Sequence, residues 1–211
     1  YAPPSDIIIH VRLHDEENVQ QQEALGIIGV NLVYAAFYLY RQLDALIHVL
    51  MDNLAPGRAE VDMIKFSGPD FAKVDNRLMA LQLVQQGLTD AAMFTTKGEV
   101  VQASEVLYKK PLLVERGSFR PVTRATADML ECARTQFALE AAGAGADPVV
   151  LMEMTLKNLA EGGGIDHRDF LDRVDMAGSL GHMVLISNFG EFYRLAAHLS
   201  RHSRQPIGLA L

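Results

Sequence analysis

The chain has 211 residues, of which 49% are hydrophobic and 21% are charged, and its formal net charge is −7. This composition is typical of a globular protein with a buried core, and it excludes an intrinsically disordered chain. The single cysteine, Cys132, excludes an internal disulfide framework and a cysteine-based zinc site, so we expect a cytoplasmic protein. The negative charge, without any Lys- or Arg-rich run, argues against nucleic acid as a partner.

The apolar stretches and the two ends of the chain bear on its class and completeness. No apolar stretch reaches the roughly 20 residues of a membrane span, so we expect no membrane partner, and no signal peptide is recognisable. The chain begins at Tyr1 rather than Met and ends in an apolar run, residues 207–211. Because a core strand rarely lies at a free terminus, we expect the C-terminal part of a longer protein.

Strand and helix patterns alternate along the chain. Seven short runs rich in Val, Ile and Leu predict strands over residues 7–13, 60–66, 91–95, 112–115, 149–154, 183–187 and 207–211. Helical spacing predicts helices over residues 18–40, 43–54, 75–86, 99–108, 123–142, 168–180 and 191–203. This alternation predicts one Rossmann-like α/β domain over residues 1–211, with the weakest seam near residue 110. We expect a mostly parallel sheet of about seven strands with helices on both faces, and a barrel-like arrangement is the alternative.

Ligands of parallel α/β sheets bind beyond the carboxyl ends of the strands. In the first predicted strand, His10, Arg12 and His14 share one face because side chains alternate with period two. Three interpretations stay open. The strand can be an edge with one solvated face, the three side chains can bind phosphate or carboxylate, or the two histidines can ligate a metal.

Polar residues also follow the later strands. The ligand-binding candidates there are Lys65, Ser67, Gly68, Asp70, Arg116, Gly117, Ser118, Thr123, Ser187 and Asn188. Ser67-Gly68-Pro69-Asp70 can offer backbone N–H groups to an anion, or it can be a plain turn. We expect Arg120 to pair with phosphate and Glu153 to act as a general base or as a ligand of Mg²⁺, the candidate cofactor.

The stretch Gly117-Ser118-Phe119-Arg120-Pro121-Val122-Thr123 runs from a predicted strand into a helix. It resembles the signature of the nucleotidylyltransferases, such as nicotinate-nucleotide adenylyltransferase. The resemblance implies a nucleotide bound at the glycine-rich strand exit and adenylyl transfer with release of pyrophosphate. Arg120 stands where that family has Asp, Ala125 replaces a glycine, and Thr126 stands at the place of a catalytic histidine. A hydroxyl cannot supply the positive charge of an imidazolium to phosphoryl oxygens.

The chain as a whole resembles a family of uncharacterised bacterial proteins. Segments that carry this resemblance include Phe66-Ser67-Gly68-Pro69-Asp70, Leu107-Tyr108-Lys109-Lys110-Pro111 and Phe170-Leu171-Asp172-Arg173-Val174.

Two functions remain open from the sequence. The first is binding of a nucleotide or another phosphorylated small molecule at the strand ends, with nucleotidyl transfer if the protein is an active enzyme. The second is a catalytically degenerate α/β scaffold or regulatory interaction module. Tyr34, Phe37, Tyr38 and Tyr40 in the long apolar helix indicate a subunit interface, so we expect a homo-oligomer.

Overall fold

The computed structural model describes residues 3–140, 147–160 and 163–210. The protein is an α/β protein in which two compact units divide the chain, Tyr1–Asp90 and Ala91–Leu211. The predicted seam near residue 110 lies inside the second unit, and the expectation of one domain stays a prediction. Within the described ranges, no helix is both long enough and apolar enough to cross a membrane.

The first unit is a two-stranded antiparallel ribbon with helices. Its elements are β1 (Asp6–Leu13), α1 (Asn18–Tyr38), α2 (Leu43–Val49), β2 (Ala59–Ser67), a 3-10 turn (Pro69–Phe71) and α3 (Asn76–Gln85). β1 and β2 pair antiparallel, with a register shift between His10 and Val11. Their apolar side chains pack on a core that includes Leu46, Ile64 and Leu83. The expectation that these two strands join one mostly parallel sheet is therefore wrong.

The second unit is built on a mixed sheet of six strands. Its elements are β3 (Ala91–Phe94), β4 (Val100–Val101), α4 (Ala103–Val106), β5 (Leu112–Arg116), α5 (Arg124–Glu140), β6 (Val149–Thr155), α6 (Leu156–Leu159), α7 (His167–Ser179), β7 (Met183–Ser187), α8 (Phe192–Ser200) and β8 (Ile207–Ala210). The strand order is β4-β3-β7-β6-β5-β8. The ends of two predicted elements, residues 141–142 and Leu211, lie outside the described residues.

Four of these strands form the parallel part of the sheet. β7, β6, β5 and β8 are parallel neighbours, whereas β3 is antiparallel to both β4 and β7. From β5 the chain moves outward to β6 and β7, and then returns to β8 on the other side of β5. The topological switch point, where such sheets commonly bind ligands, therefore lies between β5 and β8.

Helices cover both faces of the parallel strands. Leu113 and Val150 face α5, where Leu130 and Phe137 complete a small apolar cluster. Leu112 and Leu151 face the other way, onto Leu195 and Leu199 of α8. The predicted α/β class is thus confirmed, and helices on both sheet faces are confirmed for the second unit. All seven predicted strands are present, and the two-residue strand β4 is an addition.

Candidate functional site

An ion pair joins two neighbouring strand ends in the second unit. Arg116 ends β5, and its register partner Glu153 lies on β6. The Nε of Arg116 donates to Oε2 of Glu153 at 2.5 Å, and Nη2 donates to Oε1 at 2.9 Å. The Glu153 side chain is fully buried, whereas 12% of the Arg116 side chain is exposed. A buried carboxylate needs such a partner because burial otherwise penalises its charge.

The third strand end completes this polar cluster. Ser187 of β7 donates its hydroxyl to Oε1 of Glu153 at 2.5 Å. The backbone N–H of Gly117 donates to the carbonyl of Glu153, which holds the exit of β5 against β6. Three sequence-predicted residues, Arg116, Glu153 and Ser187, are therefore brought together. Glu153 is the register partner of Arg116, and Ser187 lies two residues beyond Leu185, the other register partner of Glu153, so the three side chains share one sheet face.

Arg116 is held rigidly by two further contacts. Its Nη1 donates to the carbonyl of Gly190 at 2.9 Å. Its guanidinium carbon lies 4.3 Å from the ring centroid of Phe192, within the range of a cation–π interaction. The hydrogen bonds to Glu153 and Gly190 use three of the five N–H donors that a guanidinium carries.

A cavity opens beside this cluster at the carboxyl ends of β5, β6 and β7. Its volume is about 360 Å³. Its lining combines a guanidinium, an ammonium, two side-chain amides, a hydroxyl and apolar groups: Arg116, Thr155, Leu156, Lys157, Asn158, Asn188, Phe189 and Gly190. Arg116 and Asn188 are the sequence-predicted residues that line it, and sequence reasoning missed Lys157 and Asn158.

A capping box fixes the segment Thr155–Asn158, which lines the cavity at the start of α6. The Thr155 hydroxyl accepts from the N–H of Asn158 at 3.1 Å, and the Asn158 side chain accepts from the N–H of Thr155 at 3.2 Å. Reciprocal bonds of this kind fix where a helix begins. In the sequence, Thr155 is followed three residues later by Asn158, directly after a buried strand. This capping pattern predicts a helix start and could have located Lys157.

A hydrogen bond from helix α7 holds the loop that follows β5. Arg173 of α7 is 2% exposed, and its Nη1 donates to the carbonyl of Ser118 at 2.9 Å. Its Nη2 donates to Asp169, which also pairs with Arg120 at 3.1 Å. Arg120 thus belongs to a surface ion-pair network. Thr123 caps the start of α5, where its hydroxyl accepts from the N–H of Thr126 at 3.2 Å.

The two residues expected to be catalytic are therefore engaged within the chain. Glu153 pairs with Arg116 and Ser187, and Arg120, whose side chain is 55% exposed, pairs with Asp169. Gly117, Ser118 and Thr123 are not among the residues that line the cavity. Their expected ligand contacts stay predictions.

Glu115 is a second unusual carboxyl at the end of β5. It is 1% exposed, and within the described part of the chain neither of its oxygens has a hydrogen-bond partner. Burial raises the pKa of Glu115 to about 7. Its neighbours in register are Met152 on β6 and Ala210 on β8, so it lies at the switch point rather than in the cavity. The sequence signal was an acidic residue inside a run otherwise suited to a strand buried on both faces.

The polar face of the first strand is neutralised by its partner strand. Nδ1 of His10 lies 2.5 Å from Oδ1 of Asp62, and Arg12 lies 3.8 Å from the same carboxylate. Nε2 of His14 lies 3.6 Å from Glu60, whose other oxygen accepts a hydrogen bond from Thr89. Cross-strand pairs of opposite charge stabilise a ribbon. This arrangement fits the solvated-edge interpretation of His10, Arg12 and His14 better than an open anion site.

The loop after β2 holds the beginning of the chain. Ser5 donates to the carboxylate of Asp70 at 2.6 Å and accepts from the N–H of Asp70 at 3.0 Å. Gly68 has φ +95°, and a Cβ there would lie 2.6 Å from the carbonyl oxygen of Pro4. The Ser67–Asp70 turn is thus filled by residues 4–5, while Lys65 is exposed on β2. Binding of a ligand by Lys65, Ser67, Gly68 or Asp70 stays a prediction.

Within the described ranges, no group of three or more His, Cys, Asp or Glu side chains is arranged to hold a metal ion. Mg²⁺ as a cofactor stays a prediction. Comparisons of the chain with protein-family models, with curated proteins and with solved structures found no match. The geometry of the site is therefore the basis on which a function can be assigned.

Proposed function

We propose that the second unit binds a phosphorylated small molecule, of the nucleotide class, in the cavity at the carboxyl ends of β5, β6 and β7. The observation that carries this proposal is the pre-oriented guanidinium of Arg116 in the wall of that cavity. The other lining residues lie far from Arg116 in the sequence, and the fold brings them next to it. A volume of about 360 Å³ lies within the usual range of small-molecule pockets.

The donors in the cavity wall suit a phosphate group. Among the described residues, Arg116 uses three N–H groups in bonds to Glu153 and Gly190, which leaves two donors whose direction is fixed by Glu153 and Phe192. A pre-oriented donor loses little side-chain entropy when a ligand binds. The amides of Asn158 and Asn188 add further donors.

Lys157 supplies the net charge of the site. The positive charge of Arg116 is balanced by Glu153, so this pair contributes hydrogen bonds more than attraction over distance. Lys157 is exposed, and no carboxylate of the described residues forms an ion pair with it. An ammonium of this kind attracts a phosphate at long range before the Arg116 donors bind it.

Binding without catalysis is the second candidate, and specific contacts favour it. The hydroxyls of Thr126 and Thr123 lie 3.0 Å apart in a helix cap, and Thr126 stands at the histidine position of the nucleotidylyltransferase signature. Glu153 and Arg120 are likewise paired within the chain. In a catalytically degenerate ligand-binding scaffold, Thr126, Glu153 and Arg120 would be free to form these contacts within the chain. Nucleotidyl transfer is supported by the sequence resemblance alone.

Isothermal titration calorimetry with ATP, nicotinate mononucleotide and inorganic pyrophosphate tests the proposal. We expect saturable binding of at least one ligand, and Lys157→Gln to weaken it about 10-fold, as expected for the loss of a charge-assisted hydrogen bond. Lys97→Gln is the matched control. Lys97 is exposed and follows β3, which runs antiparallel to β7, so it lies at the opposite edge of the sheet.

Each outcome of this experiment has a definite meaning. Equal weakening by Lys157→Gln and Lys97→Gln would show general charge attraction and contradict a site in the cavity. Binding without pyrophosphate release from ATP and nicotinate mononucleotide would favour the degenerate scaffold. Release of pyrophosphate that depends on the protein would support nucleotidyl transfer.

A further inference from the structure

Helix α1 has an apolar face that the described part of the chain leaves exposed. Its buried face carries Ala24, Ile28 and Ala35, which are at most 1% exposed. The opposite face carries a row of residues that we call the α1 seam: Val19, Glu23, Gly26, Val30, Val33 and Phe37. Val19, Val30, Val33 and Phe37 are 75%, 70%, 58% and 76% exposed. A helix that is apolar on both faces is typically buried on both.

The α1 seam has the spacing of a helix–helix interface. Its members alternate steps of four and three residues, which is the heptad repeat that keeps one stripe of a helix against a partner helix. Tyr34 and Tyr38, at 51% and 73% exposure, flank the seam. The exposed apolar residues Val30, Val33 and Phe37 follow one another along the seam, and apolar surface of this kind marks an interaction site.

Packing against the described residues does not explain Gly26. Among them, a Cβ added at Gly26 would meet nothing within 4 Å, so none of them requires a glycine there. Glycine inside a helix costs roughly 1 kcal/mol relative to alanine. The close approach of a second helix to the seam would explain why this position has no side chain.

We propose that the α1 seam is a homodimer interface in which α1 pairs antiparallel with α1 of a second copy. In the register centred on the middle of the seam, position 19 faces 37, position 23 faces 33 and position 26 faces 30. Gly26 then receives Val30 of the second copy, and small Val19 meets large Phe37. The same contacts repeat about a two-fold axis, which closes the assembly at two subunits.

The charges around α1 favour the antiparallel direction. Exposed Glu16 and Glu17 directly precede the helix, and exposed Arg41 follows it. Antiparallel pairing brings each acidic end near Arg41 of the second copy and opposes the two helix dipoles, whereas parallel pairing would place like charges together. Glu23, the one charged member of the seam, already pairs with Arg58 of its own chain at 2.9 Å.

A cavity lies beside the seam, where side chains of the second copy would pack. It has a volume of about 440 Å³, and its lining includes Leu32, Val33, Phe37, Tyr40 and Phe71. In the antiparallel register, this cavity lies next to the position that receives Val19 of the second copy. Together with the flanking Tyr34 and Tyr38, the seam offers exposed apolar surface on the order of several hundred Å². Each partner of a stable dimer buries roughly 800 Å².

Sedimentation velocity of the full chain at roughly 1 to 100 μM, the range in which a micromolar dimer dissociates, tests the interface. We expect the wild-type chain to dimerise and Val30→Lys or Phe37→Lys to raise the dissociation constant at least about 10-fold. Leu25→Lys is the matched control, because Leu25 is 52% exposed on the same helix but outside the seam. Circular dichroism establishes that each variant is folded.

A monomeric wild-type chain would overturn the proposal and would leave the face to another segment or another protein. A dimer that resists both seam lysines, or that Leu25→Lys weakens equally, would overturn it too. The direction is tested in a Cys132→Ser background, since Cys132 is exposed. Mixing Val19→Cys with Phe37→Cys should give a disulfide between unlike chains, and disulfides between like chains only would overturn the antiparallel arrangement.

Discussion

Arg116 and Glu153 occupy paired positions at the ends of two parallel strands, and their side chains are joined by two hydrogen bonds of 2.5 and 2.9 Å. The pair lies between the packed sheet and the cavity. Glu153 is fully buried, and Arg116 retains a 12% exposed surface. The carboxylate therefore serves to position the guanidinium, and the guanidinium is the member that can contact a ligand.

We predict that breaking this pair from one side is far more damaging than removing it. Arg116→Met should destabilise the protein by about 3–5 kcal/mol, because it leaves Glu153 charged and buried with Ser187 as its remaining side-chain partner. The double variant Arg116→Met/Glu153→Leu should recover much of that loss. Urea unfolding of the two single variants and the double variant measures the coupling. Additive effects would show that the two side chains do not depend on each other.

Glu115 should make the stability of the protein fall as the pH rises. Its pKa is raised by burial from 4.5 to about 7, so the folded state binds the proton more tightly than the unfolded state. The stabilising effect of this proton is complete below about pH 4.5 and is lost as the pH rises through 7. The total change should be up to about 3 kcal/mol, given 1.36 kcal/mol per pKa unit.

Glu115→Gln should remove this pH dependence, because the amide has no charge to bury. The difference in unfolding free energy between the variant and wild type, measured by urea titration from pH 4 to pH 8, isolates the contribution of Glu115. A difference that stays constant across this range would mean that the Glu115 carboxyl has the same pKa in both states.

Asp62 should stabilise the β1–β2 ribbon through its contacts with the His10 imidazole and the Arg12 guanidinium. Its side chain is 12% exposed and lies near both His10 and Arg12. Asp62→Asn should lower the unfolding free energy by roughly 1–2 kcal/mol, because partly buried charge pairs are only partly screened. Asp6→Asn, at the exposed start of β1, is the control and should change little. An equal loss in both variants would point to net charge rather than to the cross-strand pairs.

Arg173 should hold the loop that leaves β5. Because it is 2% exposed and donates to the carbonyl of Ser118, Arg173→Met should cost about 2–4 kcal/mol and loosen this loop. Hydrogen exchange at the amides of Ser118 and Phe119 should accelerate. Arg168→Met is the matched control on the same helix, since Arg168 is exposed. Unchanged exchange at Ser118 in the Arg173 variant would remove Arg173 from this role.

The sequence predicts the strands of this protein better than it predicts their arrangement. Apolar runs locate all seven expected strands because burial is a local property of each run. The pairing of β1 with β2, and the antiparallel direction of β3, depend on partners far along the chain. The alternation of apolar residues with His10, Arg12 and His14 was nevertheless typical of a half-exposed antiparallel strand rather than of a buried parallel one.

The candidate site was predictable to a similar degree. Arg116, Ser187 and Asn188 were found because residues at the carboxyl ends of parallel strands meet at one edge. The burial of Glu153 under Arg116 was not predictable, because it requires the register of β5 against β6. Lys157 was missed because α6, with four residues, is too short to show a helical pattern in the sequence, and Glu115 was missed because it lies inside an apolar run.

The most direct test of the cavity as a ligand site is a two-dimensional ¹H–¹⁵N NMR titration of the chain with inorganic pyrophosphate, following the side-chain Nε resonance of Arg116. We expect saturable shifts of this resonance together with the amides of Asn158 and Asn188. Shifts confined to the β1–β2 ribbon around His10 and Arg12, or no shift at all, would contradict it.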